Sequence, residues 1–97
     1  ALQIRDFGVS IGWQMHIEDV GGTVLADTAA LHLALSTPEA NRLASWLCHA
    51  HIAPAHDPAP AEVGARNRDG LVHLTDASGI GVVPSNDFLG DPVAVYG

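Results

Sequence analysis

Ten consecutive residues near the start of the chain alternate between apolar and polar or small side chains. The segment reads VSIGWQMHIE from Val9 to Glu18, with an apolar residue at every odd-numbered position. Successive side chains of a strand point to opposite faces of a sheet, so this alternation predicts a β-strand with one buried face. A strand needs partner strands and an apolar layer to cover it, so the fold must contain a sheet.

Further strands are predicted between residues 23 and 36 and again after residue 70. The motif DVGG at 19–22 predicts a turn, because paired glycines adopt positive φ at little cost. Residues 23–27 and 30–36 then predict two more strands, the second alternating Leu-His-Leu-Ala-Leu. The segment GLVHLTDASGIGVVP at 70–84 predicts a second hairpin, and Val93–Tyr96 predict a possible edge strand.

One helix is predicted, over about 38–50, where the apolar period changes from two to about 3.6. Ser36 or Thr37 supplies an N-cap oxygen, Pro38 suits the first helical turn, and Glu39 complements the helix dipole. The apolar stripe of this helix consists of Ala40, Leu43, Leu47 and Ala50, widened by Trp46.

These elements predict an α+β fold in a single domain over residues 1–97. Its core would be a mostly antiparallel sheet of four to six short strands, with the amphipathic helix at about 38–50 packed on one face. The expected order is β-β-β-α-loop-β-β. A connecting loop rich in proline and alanine is expected at about 52–69.

Charge limits the partners that this chain is expected to bind. Eleven carboxylates stand against four arginines and no lysine, which gives a formal net charge of -7. A field of that sign repels phosphate backbones and anionic lipids, so we expect neither nucleic acid nor a membrane surface as a partner. A protein partner, especially a basic one, is more compatible with this charge.

A single cysteine excludes an intrachain disulfide and therefore a small disulfide-stapled secreted scaffold. No apolar run approaches the roughly 18 residues that a membrane-spanning helix needs, and no signal-peptide pattern opens the chain. These features predict a cytoplasmic location.

The stretch CHAHIAPAHDP from Cys48 to Pro58 concentrates potential metal ligands. On a continuing helix, Cys48 and His51 lie at i and i+3 on one face, whereas His49 points away from His51. A turn at Pro54 could add His56 and Asp57, completing a zinc-type set of Cys48, His51, His56 and Asp57. The alternative interpretation is a helix end followed by a proline-rich loop, because the spacing matches neither a zinc finger, a zinc ribbon nor the H-E-x-x-H helix of metalloproteases.

A second possible cluster consists of His16, His32 and His73. Each is flanked by apolar residues in a predicted strand, so neighbouring strands would place three imidazoles on the sheet face away from the helix. They could bind a metal, or form a patch whose charge changes around pH 6 to 7. The alternative is three unrelated surface histidines.

No catalytic constellation is recognisable in the sequence. No serine lies in a G-x-S-x-G elbow, and DASGIG at 76–81 lacks the lysine of a phosphate-binding loop. An apolar contact surface is predicted instead near the C-terminal end, formed by Phe88, Leu89, Val93, Val95 and Tyr96.

The sequence therefore favours a small acidic, non-enzymatic protein-interaction domain: an adaptor, regulator or inhibitor of a protein partner. No cofactor is expected, and an unpaired sheet edge would allow a homodimer. The alternative is a metal-binding or metal-dependent protein that uses zinc. A small-ligand-binding fold is a third class that the residues leave open.

Overall fold

The computed structural model describes residues 1–48, 59 and 63–96. Within these ranges the chain is a mixed α/β structure with three helices and two small sheets. A short 3-10 turn lies between the second helix and the second strand. In chain order the elements are α1 (Leu2–Ser10), β1 (Met15–Glu18), α2 (Val24–Leu35), the 3-10 turn (Glu39–Asn41), β2 (Arg42–Trp46), β3 (Arg66–Arg68), β4 (Leu71–His73) and α3 (Asn86–Leu89).

A parallel β-α-β unit organises the first half of the chain. Strands β1 and β2 pair in parallel, and α2 forms the crossover between them and packs against both. The register shifts after the first pair, because Met15 lies opposite Arg42 but His16 lies opposite Ala44. Leu43 is therefore an extra residue in β2, and its side chain is exposed.

One face of helix α2 is buried along the whole length of the helix. Its buried positions are Val24, Asp27, Thr28, Leu31 and Ala34, which follow the i, i+3, i+4, i+7 spacing of a helix face. Leu31 and Ala34 form a core cluster with Leu47 and Ala65, against which Ile17 of β1 also packs. The helix thus joins the parallel strands to the second half of the chain.

The second sheet is an antiparallel hairpin of β3 and β4, with Arg66 opposite His73 and Arg68 opposite Leu71. Asp69 and Gly70 form its turn, and both have positive φ. Val72 and Leu74 pack on the Leu31 cluster, which places this hairpin on α2. A second small core joins Val24 to Ala59 and Val82.

The prediction of two strands between residues 23 and 36 is wrong, because this segment is α2. The leucines at 31, 33 and 35 mimic a strand, but only Leu31 is buried. The helical stripe was hidden because two of its five buried members, Asp27 and Thr28, are polar.

The predicted helix at about 38–50 is also wrong over the described residues. The capping signals at Pro38 and Glu39 start only the 3-10 turn Glu39–Asn41, and Arg42–Trp46 form a strand. Strand β2 pairs with β1 across 27 positions of sequence, from Met15 to Arg42. That pairing is a distant interaction that a local apolar period does not encode.

The other predicted strands are confirmed only in part. Met15–Glu18 form a strand, but Leu2–Ser10 form α1, and Gly12 has a φ of 76° that interrupts the alternating segment. Leu71–His73 form a strand as predicted, but it pairs with Arg66–Arg68, which the sequence placed in the connecting loop. Residues 80–83 and Val93–Tyr96 are not strands in the structure.

The sheets also differ from the expected single, mostly antiparallel one. The described part of the chain holds four strands in two separate pairs, one parallel and one antiparallel. Most of residues 49–62, which include much of the expected loop, lie outside the described ranges. Among the described residues, no helix is long and apolar enough to cross a membrane.

Candidate functional site

The face of the β1–β2 pair that points away from α2 carries the clearest group of functional side chains. Met15 and Ile17 are half-buried, Met15 beside Gly8 of α1 and Ile17 on the core cluster of α2, so the alternation of the strand presents His16 and Glu18 on the opposite, exposed face. Trp46 lies opposite Glu18 in the register of the pair. In parallel α/β sheets, ligands bind beside the C-terminal ends of the strands, which is where Glu18 and Trp46 lie.

His16 and Glu18 form an acid-base pair on this face. The His16 Nε2 and Glu18 Oε2 atoms are 3.6 Å apart, and both side chains remain partly accessible to solvent. An imidazole and a carboxylate at this distance form an ion pair when the histidine is protonated. The separation is longer than a hydrogen bond, so each group would exchange protons with a bound molecule and not directly with the other. The pair can therefore serve in general acid-base chemistry.

Asp19 follows Glu18 directly, but it is half-buried in a turn, whereas Glu18 is exposed at the end of β1. This turn joins β1 to α2, and a Cβ atom on Gly22 would collide there with the Asp19 carboxylate and with the Ala26 Cβ at 2.6 Å. The glycine is thus needed for the carboxylate to fold over the turn. A carboxylate beside the start of α2 also favours the helix dipole, which indicates that Asp19 shapes the turn.

Cys48 fixes the same turn from the other strand. Its thiol donates a hydrogen bond to the backbone carbonyl of Asp19. The residue lies two positions after the end of β2, so this contact ties together the two segments that leave the C-terminal ends of the parallel strands. Cys48 is a free, half-buried cysteine, and its thiol has a structural role as the donor of this hydrogen bond.

The predicted zinc set falls mostly outside the described residues. Cys48 is described, whereas His51, His56 and Asp57 are not, so this set stays a prediction. Within the residues that the structure describes, no three His, Cys, Asp or Glu side chains form a group that could hold a metal ion.

The second predicted cluster is not assembled. His16 lies on β1, His32 on α2 and His73 on β4, so the shared sheet face that the prediction required does not exist. The His32 Nε2 atom lies 3.1 Å from the carbonyl oxygen of Ile80, a contact between α2 and the segment after β4. The failed prediction follows from the assignment of α2 as a strand.

The predicted contact surface is exposed in the structure. Its residues lie on and after α3, and all five are largely accessible: Phe88, Leu89, Val93, Val95 and Tyr96. A separate groove of about 310 Å³ lies between α2, β2 and the β3–β4 hairpin, lined by Leu31, Ala34, Leu35, Arg42, Leu43, Ala44, Ser45, Gly70, Leu71 and Val72. Neither His16 nor Glu18 lines this groove.

Sequence reasoning missed the His16–Glu18 pair as an acid-base site. A signal for it exists in the sequence, because a strand that ends at Glu18 is followed by Asp19, Val20 and a glycine pair. That order is typical of a strand-to-helix turn in a parallel sheet, whose strand ends carry functional side chains. Interpreting the glycine pair as a hairpin turn concealed the signal.

Comparisons with known proteins identify similar chains. No family model matches this sequence. A cis-3-hydroxy-L-proline dehydratase from Roseibium aggregatum is 33% identical over 97 residues, which is 99% of this chain and 25% of the dehydratase. The likeness therefore runs along nearly the whole of this chain.

Three solved structures also match nearly the whole of this chain, with higher sequence identity. An enolase superfamily member from Roseovarius nubinhibens ISM shares 72% identity with this chain, with a TM-score of 0.86 over 97% of this chain and 25% of that protein. A second structure from that organism, with the same identity and coverage, is complexed with magnesium and gives a TM-score of 0.85. A candidate mandelate racemase/muconate lactonizing enzyme from Silicibacter pomeroyi is 44% identical, with a TM-score of 0.84 over the same shares.

These findings correct the functional interpretation of the sequence. The homologues are enolase superfamily enzymes and a dehydratase, so the prediction of a non-enzymatic adaptor, regulator or inhibitor is wrong. Magnesium in one homologue supports neither the predicted absence of a cofactor nor the zinc alternative. The chain spans about a quarter of the length of each of these homologues, and its mixed α/β fold matches the solved ones.

Proposed function

We propose that this chain is part of a longer enolase superfamily enzyme that removes and returns protons on a small hydroxylated carboxylate. The observation that carries the proposal is the His16–Glu18 pair, 3.6 Å apart at the C-terminal end of a parallel strand. Active sites of parallel α/β folds are built at those strand ends. The 72% identity to an enolase superfamily member supports the same assignment.

The proposed substrate class, a small hydroxylated carboxylate, follows from the substrate of the similar dehydratase. A dehydratase acting on cis-3-hydroxy-L-proline removes the elements of water from a ring that carries a carboxylate and a hydroxyl group. A base takes the proton from the carbon next to the carboxylate, and an acid protonates the departing hydroxyl, so the products are water and a carbon–carbon double bond. In the proposed site, Glu18 and His16 exchange these protons with the substrate.

Magnesium is the cofactor that one similar protein suggests, the enolase superfamily member whose structure holds this ion. Such an ion stabilises negative charge on a carboxylate oxygen as a proton leaves the neighbouring carbon. The described residues do not by themselves assemble three ligands for it, so they do not fit a complete magnesium site. The roles proposed for His16 and Glu18 do not depend on the ion.

The proposal is tested with the full-length protein and cis-3-hydroxy-L-proline in deuterated water. Loss of water and exchange of the proton beside the carboxylate are followed separately, since exchange detects proton removal even where no water is lost. Glu18→Gln keeps the shape of the side chain but removes its acid-base function, and we expect kcat to fall by about 10²-fold to 10⁴-fold.

Asp76→Asn provides the matched control, because Asp76 is an exposed carboxylate in the loop after β4. This control should leave kcat unchanged. A Glu18→Gln enzyme whose kcat stays within about threefold of the parent would remove Glu18 from the proposed chemistry. Absence of both water loss and exchange in the parent protein would contradict the proposed substrate.

A further inference from the structure

Two side chains from the segments that flank β2 donate hydrogen bonds to backbone carbonyls that flank β1. Asn41, immediately before β2, donates from its Nδ2 atom to the Trp13 carbonyl at 2.9 Å. Cys48, two positions after β2, donates from its thiol to the carbonyl of Asp19, the residue immediately after β1. The parallel pair is therefore held at both of its ends by side-chain donors, in addition to its own backbone ladder.

The two segments held in this way differ in length by one residue. Asn41 and Cys48 are seven positions apart, whereas Trp13 and Asp19 are six positions apart. Leu43, the extra residue in β2, takes up this difference, because the register of the pair shifts there. Both contacts therefore form together only when one extra residue is accommodated between them.

This register decides which side chains share the exposed face of the pair. It places Ala44 opposite His16 and Trp46 opposite Glu18. A slip by one position would turn the side chains of β2 to the other face, so that the half-buried Ser45 would replace Trp46 beside Glu18. The composition of the candidate site thus depends on the register of β2 as well as on β1 itself.

The Cys48 contact lies next to the acid-base pair in the sequence. Asp19 follows Glu18, so a hydrogen bond to the Asp19 carbonyl restrains the backbone beside Glu18. The Asp19 side chain is restrained as well, because it folds over Gly22 in the turn before α2. A catalytic carboxylate keeps its position only if its backbone does, and a misplacement of about 1 Å can cost about 100-fold in rate.

We infer that Asn41 and Cys48 are positioning residues, whose hydrogen bonds fix the register of β1 against β2 and thereby hold Glu18 beside Trp46. Each acts through a backbone carbonyl and not through the substrate. The inference rests on the proposed function for its catalytic consequence, whereas the fixed register is a property of the fold alone. Cys48 restrains the end of the pair that carries Glu18, and Asn41 restrains the opposite end.

The catalytic consequence is tested in the full-length protein with cis-3-hydroxy-L-proline. Cys48→Ala removes the donor, and we expect kcat to fall by about tenfold while KM changes by less than about threefold, because a displaced Glu18 slows proton transfer more than it weakens binding. Cys48→Ser keeps a donor and should restore kcat to within about threefold of the parent. Ser10→Ala is the control, since it removes a side-chain-to-backbone hydrogen bond within α1 and should leave kcat unchanged.

Amide hydrogen exchange of the full-length protein without substrate tests the register independently of catalysis. In Cys48→Ala the amides at the Glu18 end of β1 should exchange at least about tenfold faster, because that end of the pair opens more often. Asn41→Ala should have the same effect at the Met15 end, and it provides a second test if Cys48→Ala does not fold. The β3–β4 hairpin should keep its parent exchange rates in both variants.

Parent exchange rates at both ends of β1 in these variants would overturn the inference. Faster exchange with an unchanged kcat in Cys48→Ala would overturn the positioning role, and so would a Cys48→Ser enzyme as slow as Cys48→Ala. A parent protein that neither removes water from the substrate nor exchanges its proton, but whose variants show the faster amide exchange, would contradict the proposed function and leave the fixed register intact.

Discussion

The hydroxyl group of Thr28 accepts a hydrogen bond from the backbone amide of Ala65 at 2.9 Å. The same hydroxyl donates to the Val24 carbonyl at 2.6 Å, one turn earlier in α2. Thr28 is fully buried, so this one oxygen links the interior of the helix to the residue before β3. The β3–β4 hairpin is thus attached to α2 by a directional contact as well as by apolar packing.

Replacing Thr28 by valine should therefore destabilise the protein. Valine fills the same volume but leaves the buried Ala65 amide without its acceptor, which costs about 1 to 3 kcal/mol. Denaturant unfolding of the full-length protein measures the change, and Thr28→Ser, which keeps the oxygen, should lose less stability. A Thr28→Val variant as stable as the parent would show that the hydroxyl contributes nothing, and equal losses in the two variants would show that the methyl group contributes as much as the hydroxyl.

Gly64 should tolerate no side chain. Its φ is 82°, and a Cβ atom there would lie 2.6 Å from Val82 Cγ2 and 2.7 Å from both Thr28 Oγ1 and Val24 Cγ2. Gly70 has a similar φ of 80° but open space around it, so Gly70→Ala measures the conformational cost alone, about 1 to 2 kcal/mol. We expect Gly64→Ala to lose clearly more free energy of unfolding than Gly70→Ala. Matching losses would disprove the steric contribution.

Gly8, unlike Gly64, should tolerate a change to alanine, although Gly8 is also buried. A Cβ atom at this position in α1 would lie 2.8 Å from the Met15 sulfur, which sits in a flexible side chain and can move aside. Alanine also favours a helix over glycine by about 1 kcal/mol. Gly8→Ala should therefore change the free energy of unfolding by less than about 1 kcal/mol in either direction. A loss well beyond that, measured by denaturant unfolding, would mean that Met15 is held rigidly.

Leu31 and Leu35 provide a matched pair on one helix. Leu31 is 4% exposed and belongs to the core cluster, whereas Leu35 is 51% exposed. Leu31→Ala should cost about 2 to 5 kcal/mol, because it leaves a cavity among Ala34, Leu47 and Ala65. Leu35→Ala should cost much less in the same unfolding measurement. A large loss at Leu35 as well would show that another part of the full-length protein covers the groove.

The sequence predicted elements well only where one strand face was uniformly apolar. Met15 and Ile17 alternate cleanly with His16 and Glu18, and this part of β1 is confirmed. In α2 the buried stripe includes Asp27 and Thr28, so hydrophobicity alone could not indicate a helix. The polar members of that stripe become explicable only once α2 is packed, as the contact of Thr28 with Ala65 shows.

The candidate site was less predictable than the fold class. Glu18 and His16 stand two residues apart in the sequence, but their importance depends on β1 being parallel to β2, which makes one edge the C-terminal end of both strands. Parallel pairing requires the crossover helix, and α2 was the element that the leucine spacing disguised. One wrong assignment therefore removed the helix, the parallel pair and the site together.

The parallel pairing of Met15 with Arg42 also sets an order of events during synthesis. The two residues are 27 positions apart, so at about 5 to 20 residues per second the ribosome delivers β2 roughly 1 to 5 seconds after β1. During that interval β1 has no partner from β2, and α2, which forms from local contacts in microseconds or less, is the next element after β1 that can cover its apolar face. The nascent chain would thus acquire its helical layer before the parallel pair is complete.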